Sequence, residues 1–197
     1  MIILLGTKNE GKIREIKEIF TLPRVRLLTY EDHPFSDVVE EGSSFEENAL
    51  LKARRICAET GLPVLAEDSG LEVSALGGRP GVRSSRFAHD RASDEENIAK
   101  LLELLRGVDD RRARFRAVAV LRLPDGEELV TEGELRGEIA PKPRGEHGFG
   151  YDPVFIPEGF TETLAELGPK AKNEISHRRR ALERLLAMLS EHFIDIG

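Results

Sequence analysis

The chain has 197 residues, 40% of them hydrophobic, a single cysteine and a formal net charge of −7 at pH 7. That length and apolar share support one sizeable core, and no Pro/Gly/Ser-rich linker divides it, so a single domain is expected over 1–197. The acidic balance excludes a non-specific binder of nucleic acid or anionic membrane, which needs a cationic footprint, and the lone Cys57 excludes an internal disulfide or a cysteine-rich metal cluster.

In chain order, Ile2 to Leu5 is a short apolar run stopped by Gly6 and predicts a buried strand. Lys12 to Phe20 follows as a helix with Ile13, Ile16, Ile19 and Phe20 on one stripe. Ser44 to Thr60 reads as a second helix. Ser44 and Glu47 have capping-box spacing, Ala49, Ala53, Ile56 and Cys57 mark its apolar side, and Gly61 is its stop. Val64 to Glu67 predicts a strand, Asp68-Ser69-Gly70 a turn, and Leu71 to Val73 another strand. Ser93 and Glu96 repeat the capping signature ahead of a helix through Ile98, Leu101, Leu102 and Leu105, closed by Gly107. Arg114 to Leu123 alternates Phe115, Ala117, Ala119 and Leu121 with arginines, and Pro124-Asp125-Gly126 turns it into an extended run through Leu135. From Ile175, the residues Ala181, Leu182, Leu185, Leu186 and Leu189 mark a C-terminal helix with Ser176 as its N-cap. The sum is a mixed α/β chain. No apolar run approaches the ~20 residues that span a bilayer and no cationic leader precedes Ile2, so a cytoplasmic protein is expected.

Four polar clusters carry candidate chemistry. Thr7-Lys8-Asn9-Glu10-Gly11-Lys12 lies between a strand and a helix start, where unpaired N–H groups and the helix dipole favour phosphate and Lys12 adds a charge. Its spacing is not that of a Walker A loop, and the plain alternative is a helix start capped by Asn9. In Glu67-Asp68-Ser69-Gly70, adjacent strand residues point to opposite faces, so one acid at most serves a given site. Asp68 with Glu40 or Glu41 would suit Mg²⁺, and ordinary turn chemistry is the alternative. In the cluster Lys170, Lys172, His177, Arg178, Arg179 and Arg180, only Arg178 falls three, four and seven residues before Ala181, Leu182 and Leu185, on the buried face. Its partner is an internal carboxylate, a carbonyl, water or an anionic ligand. Gly145 to Pro153 sets Phe149 between glycines, either to stack on a base or to fill the core, and His147 reads as a loop histidine.

The order of these segments adds to the reading. Thr7-x-Asn9-x-x-Lys12, Ser44-Phe45-Glu46-Glu47-Asn48-Ala49 with Lys52, Glu67-Asp68-Ser69-Gly70-Leu71, Leu76-Gly77-Gly78-x-Pro80-Gly81, Gly148 to Pro153, and Lys172 with Ser176-His177-Arg178 resemble the inosine/xanthosine triphosphate pyrophosphatase family over nearly the whole chain. The resemblance implies an α/β fold with a mixed, elongated, twisted sheet and flanking helices. It further implies two lobes with the active site in the groove between them, and a homodimer. The implied reaction is Mg²⁺-dependent hydrolysis of ITP, dITP and XTP to the monophosphate and pyrophosphate. By the same likeness Thr7, Asn9 and Lys12, within the loop that also holds Lys8, Glu10 and Gly11, would bind phosphates, and Lys52 would support the triphosphate. Asp68 would be the catalytic carboxylate acting on metal or water, with Glu40 preferred to Glu41 as its fellow metal ligand. Ser69 would contact substrate, and Phe149, Gly150, Tyr151, Asp152, Lys172, His177 and Arg178 would form the base end. Lys8 stands where the family commonly has glycine and Glu67 where aspartate is common. Donors at the base end would favour a 6-oxo purine over adenine. The competing readings are a general phosphatase, a pyrimidine-directed pyrophosphatase and a nucleotide-sensing module without turnover; neither a nucleic-acid nor a membrane partner is expected.

Overall fold

The computed structural model describes residues 1–194. β1 (Ile2–Leu5) forms where four consecutive apolar residues allow burial, and Ile3, Leu4 and Leu5 are fully buried. α1 (Glu10–Ile19) begins two residues before the expected start at Lys12 because Asn9 caps it, its side chain accepting the Lys12 N–H at 3.0 Å. β2 (Arg26–Leu28) follows. α2 (Phe45–Thr60) is capped by Ser44, which accepts the Glu47 N–H at 3.1 Å, and ends at Gly61 with φ +70°. The carboxylate of Glu47 departs from the expected box by taking the Ser43 N–H at 2.7 Å.

β3 (Val64–Val73) corrects the expectation of a turn: Asp68-Ser69-Gly70 continues a single ten-residue strand. Nearly every residue along it is buried, Asp68 and Gly70 included, whereas an exposed turn would need a solvated break. α3 (Asp94–Leu104) carries the complete Ser93–Glu96 capping box. β4 (Arg112–Arg122) and β5 (Glu128–Ile139) form the expected hairpin, closed by the Leu123 N–H on the Glu127 carbonyl at 2.9 Å. β6 (Phe155–Pro157), α4 (Leu164–Leu167), α5 (Pro169–Ile175) and α6 (His177–Ile194) complete the chain. Ser176 lies between α5 and α6 in extended backbone, directly before the first residue of α6, the position expected of its N-cap.

The strands form one mixed sheet in the order β2-β1-β3-β4-β5-β6 with helices flanking it. β1 pairs in parallel with β2 (Ile2 opposite Arg26) and with β3 (Leu4 opposite Val64), and β5 pairs antiparallel with β6 (Gly137 opposite Pro157). The chain divides into two compact units. The first comprises Met1–Asp68, Ala117–Gly133 and the segment from Arg178; the second comprises Ser69–Arg116 and Glu134–His177. Ile3, Leu5, Ile16, Leu65, Leu121 and Leu185 build the core of the first, and Leu71, Leu101, Phe115, Ile139 and Phe155 that of the second. Among the described residues, no helix is long and apolar enough to cross a membrane.

At Gly137 a Cβ would lie 2.2 Å from the Ile156 carbonyl oxygen and 2.8 Å from the Phe155 ring, so β6 packs on β5 only because this side chain is absent. Gly137→Ala is expected to destabilise the protein by about 1–3 kcal/mol in urea denaturation, as overpacking against backbone does. Unchanged stability would show that β6 yields at no cost.

Candidate functional site

Glu67 and Asp68, neighbours on β3, serve opposite faces of the strand. Leu65 and Glu67 face α1 and α6: Leu65 belongs to the same buried cluster as Ile16 and Leu182, and Glu67 meets Arg178 and Lys12. Ala66 and Asp68 face α2: a Cβ at Gly6 would touch Ala66 and Ile56, and Asp68 lies near Lys52.

On the α2 side, Lys52 is 7% exposed, and its ammonium meets Glu40 Oε1 at 2.9 Å and Asp68 Oδ1 at 3.9 Å and donates to the Glu67 carbonyl at 2.8 Å. The other oxygen of Asp68, Oδ2, is buried with no hydrogen-bond partner among the described residues. A cavity of about 220 Å³ opens here, lined by Gly6, Thr7, Lys8, Glu40, Lys52 and Phe35 among others. Glu40 is half-buried in this cavity, while Glu41 is exposed. The loop bearing Glu40 is fastened to α2. Asn48, fully buried, accepts the Gly42 N–H at 2.7 Å, and a Cβ at Gly42 would collide with that Asn48 oxygen.

Within the first loop, Thr7 Oγ1 accepts the Asn9 N–H at 3.1 Å and Asn9 is the helix cap. Lys12 turns inward to 3.4 Å from Glu67 Oε2. Lys8 is engaged at the surface with Asp37 at 2.6 Å and lies over the Phe35 ring, and Glu10 accepts the Tyr30 hydroxyl. Burial pushes the Asp68 carboxyl up to about 6; Lys52 and Lys12 oppose that rise, while Glu40 and Glu67 add to it.

In the second unit, Asp152 is 1% exposed and one of its oxygens accepts both the Lys172 ammonium at 2.7 Å and the Phe149 N–H at 3.1 Å. Gly148, at φ +78°, is obligatory because a Cβ would lie 2.1 Å from that same oxygen. The Lys172 ammonium stands 4.4 Å from the centre of the half-buried Phe149 ring. Gly150 donates its N–H to Asp94, and the buried Tyr151 donates its hydroxyl to the Ser84 carbonyl at 2.7 Å. His177 stacks on Phe115 at 4.8 Å. Ser69 is half-buried and begins this unit. A bigger cleft of about 780 Å³ in this unit, lined by Glu72, Arg112, Arg114, Arg136 and Phe160 among others, contains none of the predicted site residues.

His177 and Arg178, expected together at the base end, lie on either side of the boundary between the two units. Arg178 is 1% exposed in the first unit, with Nε 3.2 Å from Glu67 Oε2 and Nη1 on Glu15. Of the partners open to it from sequence, internal carboxylates are the ones observed. Burial works against its charge, and the carboxylates of Glu67 and Glu15 more than compensate, holding its pKa above the ordinary arginine value. Sequence reasoning did not single out Glu15, Asn48, Asp94 or Phe115. Glu15 carried a signal nonetheless: it lies three residues after Lys12 and four before Ile19, an acid on a buried stripe that needs a cation.

No group of three or more His, Cys, Asp or Glu side chains gathers to hold a metal among the described residues. Glu40 and Asp68 fit a divalent ion of the Mg²⁺ kind, which uses one or two carboxylates and completes its shell with water and phosphate oxygens. The buried, unpartnered Asp68 oxygen is the observation behind that fit.

The sequence matches the Ham1 family over residues 3–188. It is 45% identical to the dITP/XTP pyrophosphatase of Bacillus licheniformis over 192 residues, covering 96% of this chain and 98% of that protein. The solved structure of the Staphylococcus aureus Ham1 protein superposes with a TM-score of 0.88 at 44% identity, covering 98% of this chain and 100% of the other. A HAM1 protein from Coxiella burnetii gives a TM-score of 0.89 at 43% identity, covering 97% of this chain and 99% of the other.

Because Asp68 titrates higher when folded than its ordinary value of 3.8, the preference of the folded state for the neutral acid is fully present below that value and lost as pH rises through about 6. In metal-free protein, Asp68→Asn is therefore expected to be more stable than the parent at pH 7.5, by up to about 3 kcal/mol, with the gap closing towards pH 4. Urea denaturation across that range checks this, and a gap independent of pH contradicts it.

Proposed function

The chain belongs to the Ham1 family, and on that footing we propose that it hydrolyses non-standard purine nucleoside triphosphates, ITP, dITP and XTP, to the monophosphate and pyrophosphate. The observation that carries this reading is Asp68: a buried carboxylate with an unpartnered oxygen, raised to about 6 and set beside two lysines. Such a group is ionised at neutral pH yet basic enough to accept a proton from water.

The first unit handles the phosphates. Lys12, Lys52, the hydroxyl of Thr7 and the N–H groups at the start of α1 supply positive charge and donors to a polyphosphate. Asp68 orients a water for attack on the α-phosphorus and takes its proton as pyrophosphate leaves. Glu40 and Asp68 would hold Mg²⁺, which when bound neutralises phosphate charge and polarises the phosphoryl group. Lys52 keeps the two carboxylates together before substrate arrives, since its ammonium contacts both.

The second unit handles the base. Phe149 offers a stacking surface held in place by Asp152, and the His177 ring offers a donor to a 6-oxo group. Adenine would present its own donor there. An unpaired buried donor costs about 1–3 kcal/mol, which supports rejection of ATP. Assembly as a homodimer and residence in the cytoplasm complete the proposal; light scattering at twice the monomer mass would support the former.

With Mg²⁺, dITP and XTP are expected to release pyrophosphate, whereas ATP and UTP are not turned over appreciably. Orthophosphate as the product, or broad use of all four, would defeat this reading. Asp68→Asn is expected to lower kcat by about 10²–10⁴-fold while remaining folded, the usual contribution of general-base catalysis. A fully active variant would remove Asp68 from the role.

A further inference from the structure

Glu67, Arg178, Glu15 and Lys12 form one buried ionic chain in the first unit. Glu67 is 1% exposed, Arg178 1% and Glu15 7%, and the Lys12 side chain is 15% exposed. Glu67 is shared by two cations: the guanidinium of Arg178, with Nε at 3.2 Å and Nη2 at 3.4 Å, and the ammonium of Lys12 at 3.4 Å. Arg178 is in turn shared by two anions, since its Nη1 donates to Glu15. The four charges sum to zero. Each carboxylate or cation buried here must be balanced by its neighbours, because an uncompensated charge at such depth is strongly destabilising.

This arrangement bears on Lys12, the cation at the start of α1. To the extent that Arg178 satisfies Glu67, the ammonium of Lys12 is available to a polyphosphate. To the extent that Glu15 draws Arg178 away, Glu67 falls back on Lys12. We propose that Glu15 and Arg178 are positioning residues that act through Glu67 to set how much of the Lys12 charge reaches a bound polyphosphate. The assignment of Lys12 to phosphate rests on the pyrophosphatase reading, while the ionic chain itself is a matter of geometry.

The probe is inorganic tripolyphosphate, which has no base, so any contact Arg178 makes with a purine does not register. Calorimetric titration of the full chain compares the parent with Glu15→Gln and Arg178→Gln, each also in a Lys12→Gln background. Glu15→Gln keeps the shape of the side chain and removes one anion that draws on Arg178. Tripolyphosphate is expected to bind about 3-fold more tightly to it and about 10-fold more weakly to Arg178→Gln, the scale of one partly screened charge at close range. Both effects are expected to shrink to less than about 2-fold when Lys12 is absent, as coupling through that residue requires. A purely structural role would weaken binding in both variants, and a diffuse field effect would persist without Lys12; either result, or no change, overturns the proposal. Should Arg178→Gln fail to fold, the sign of the Glu15→Gln effect and its loss without Lys12 decide the matter. Failure to hydrolyse dITP would strike the pyrophosphatase reading and leave this binding test intact.

Discussion

The first unit depends on the placement of two acids side by side on one uninterrupted strand. Because β3 runs straight through Asp68-Ser69-Gly70, the alternation of the pleat sends Glu67 towards α1 and α6 and Asp68 towards α2. Each acid is buried, and each therefore recruits cations from the elements packed on its own face. Glu67 gathers Arg178 and Lys12, and Asp68 gathers Lys52. A turn at this point would have exposed both carboxylates to water and removed the need for either set.

The two faces differ in how completely they are neutralised. Glu67 sits within a chain of alternating charges that includes Arg178 and Glu15, the arrangement that makes a buried ionic cluster tolerable. Asp68 keeps one oxygen without a hydrogen-bond partner among the described residues, and its ionisation is held back by burial. A group in that state weakens the folded protein at neutral pH and is suited to accept a proton. In the second unit the logic is steric as much as electrostatic. Asp152 can hold Phe149 and Lys172 with one oxygen only because Gly148 leaves room for it.

Much of this was legible in the residues. The helices announce themselves through Asn9, Ser44 and Ser93 at their starts and through apolar stripes that the structure buries, and the hairpin through Pro124-Asp125-Gly126. The small segments β6, α4 and α5 escaped because three to seven residues give no period to read. Asp68-Ser69-Gly70 misled because its composition is that of a turn, while burial from the surrounding sheet decides its conformation. The helical stripe rightly placed Arg178 on the buried side, yet periodicity cannot say which carboxylates a long side chain will reach. Glu67 is 111 residues away from it in sequence and Glu15 163. His177 stacks on Phe115 while its neighbour Arg178 meets Glu67 and Glu15, as successive side chains on a helix point about 100° apart.

In the proposed reaction, water oriented by Asp68 attacks the α-phosphorus. Hydrolysis of dITP in ¹⁸O-labelled water under single-turnover conditions tests it most directly, with mass spectrometry of both products. Attack at the α-phosphorus puts the label in the nucleoside monophosphate and none in pyrophosphate. Label in the pyrophosphate would mean attack at the β-phosphorus and would contradict the geometry assigned to Asp68.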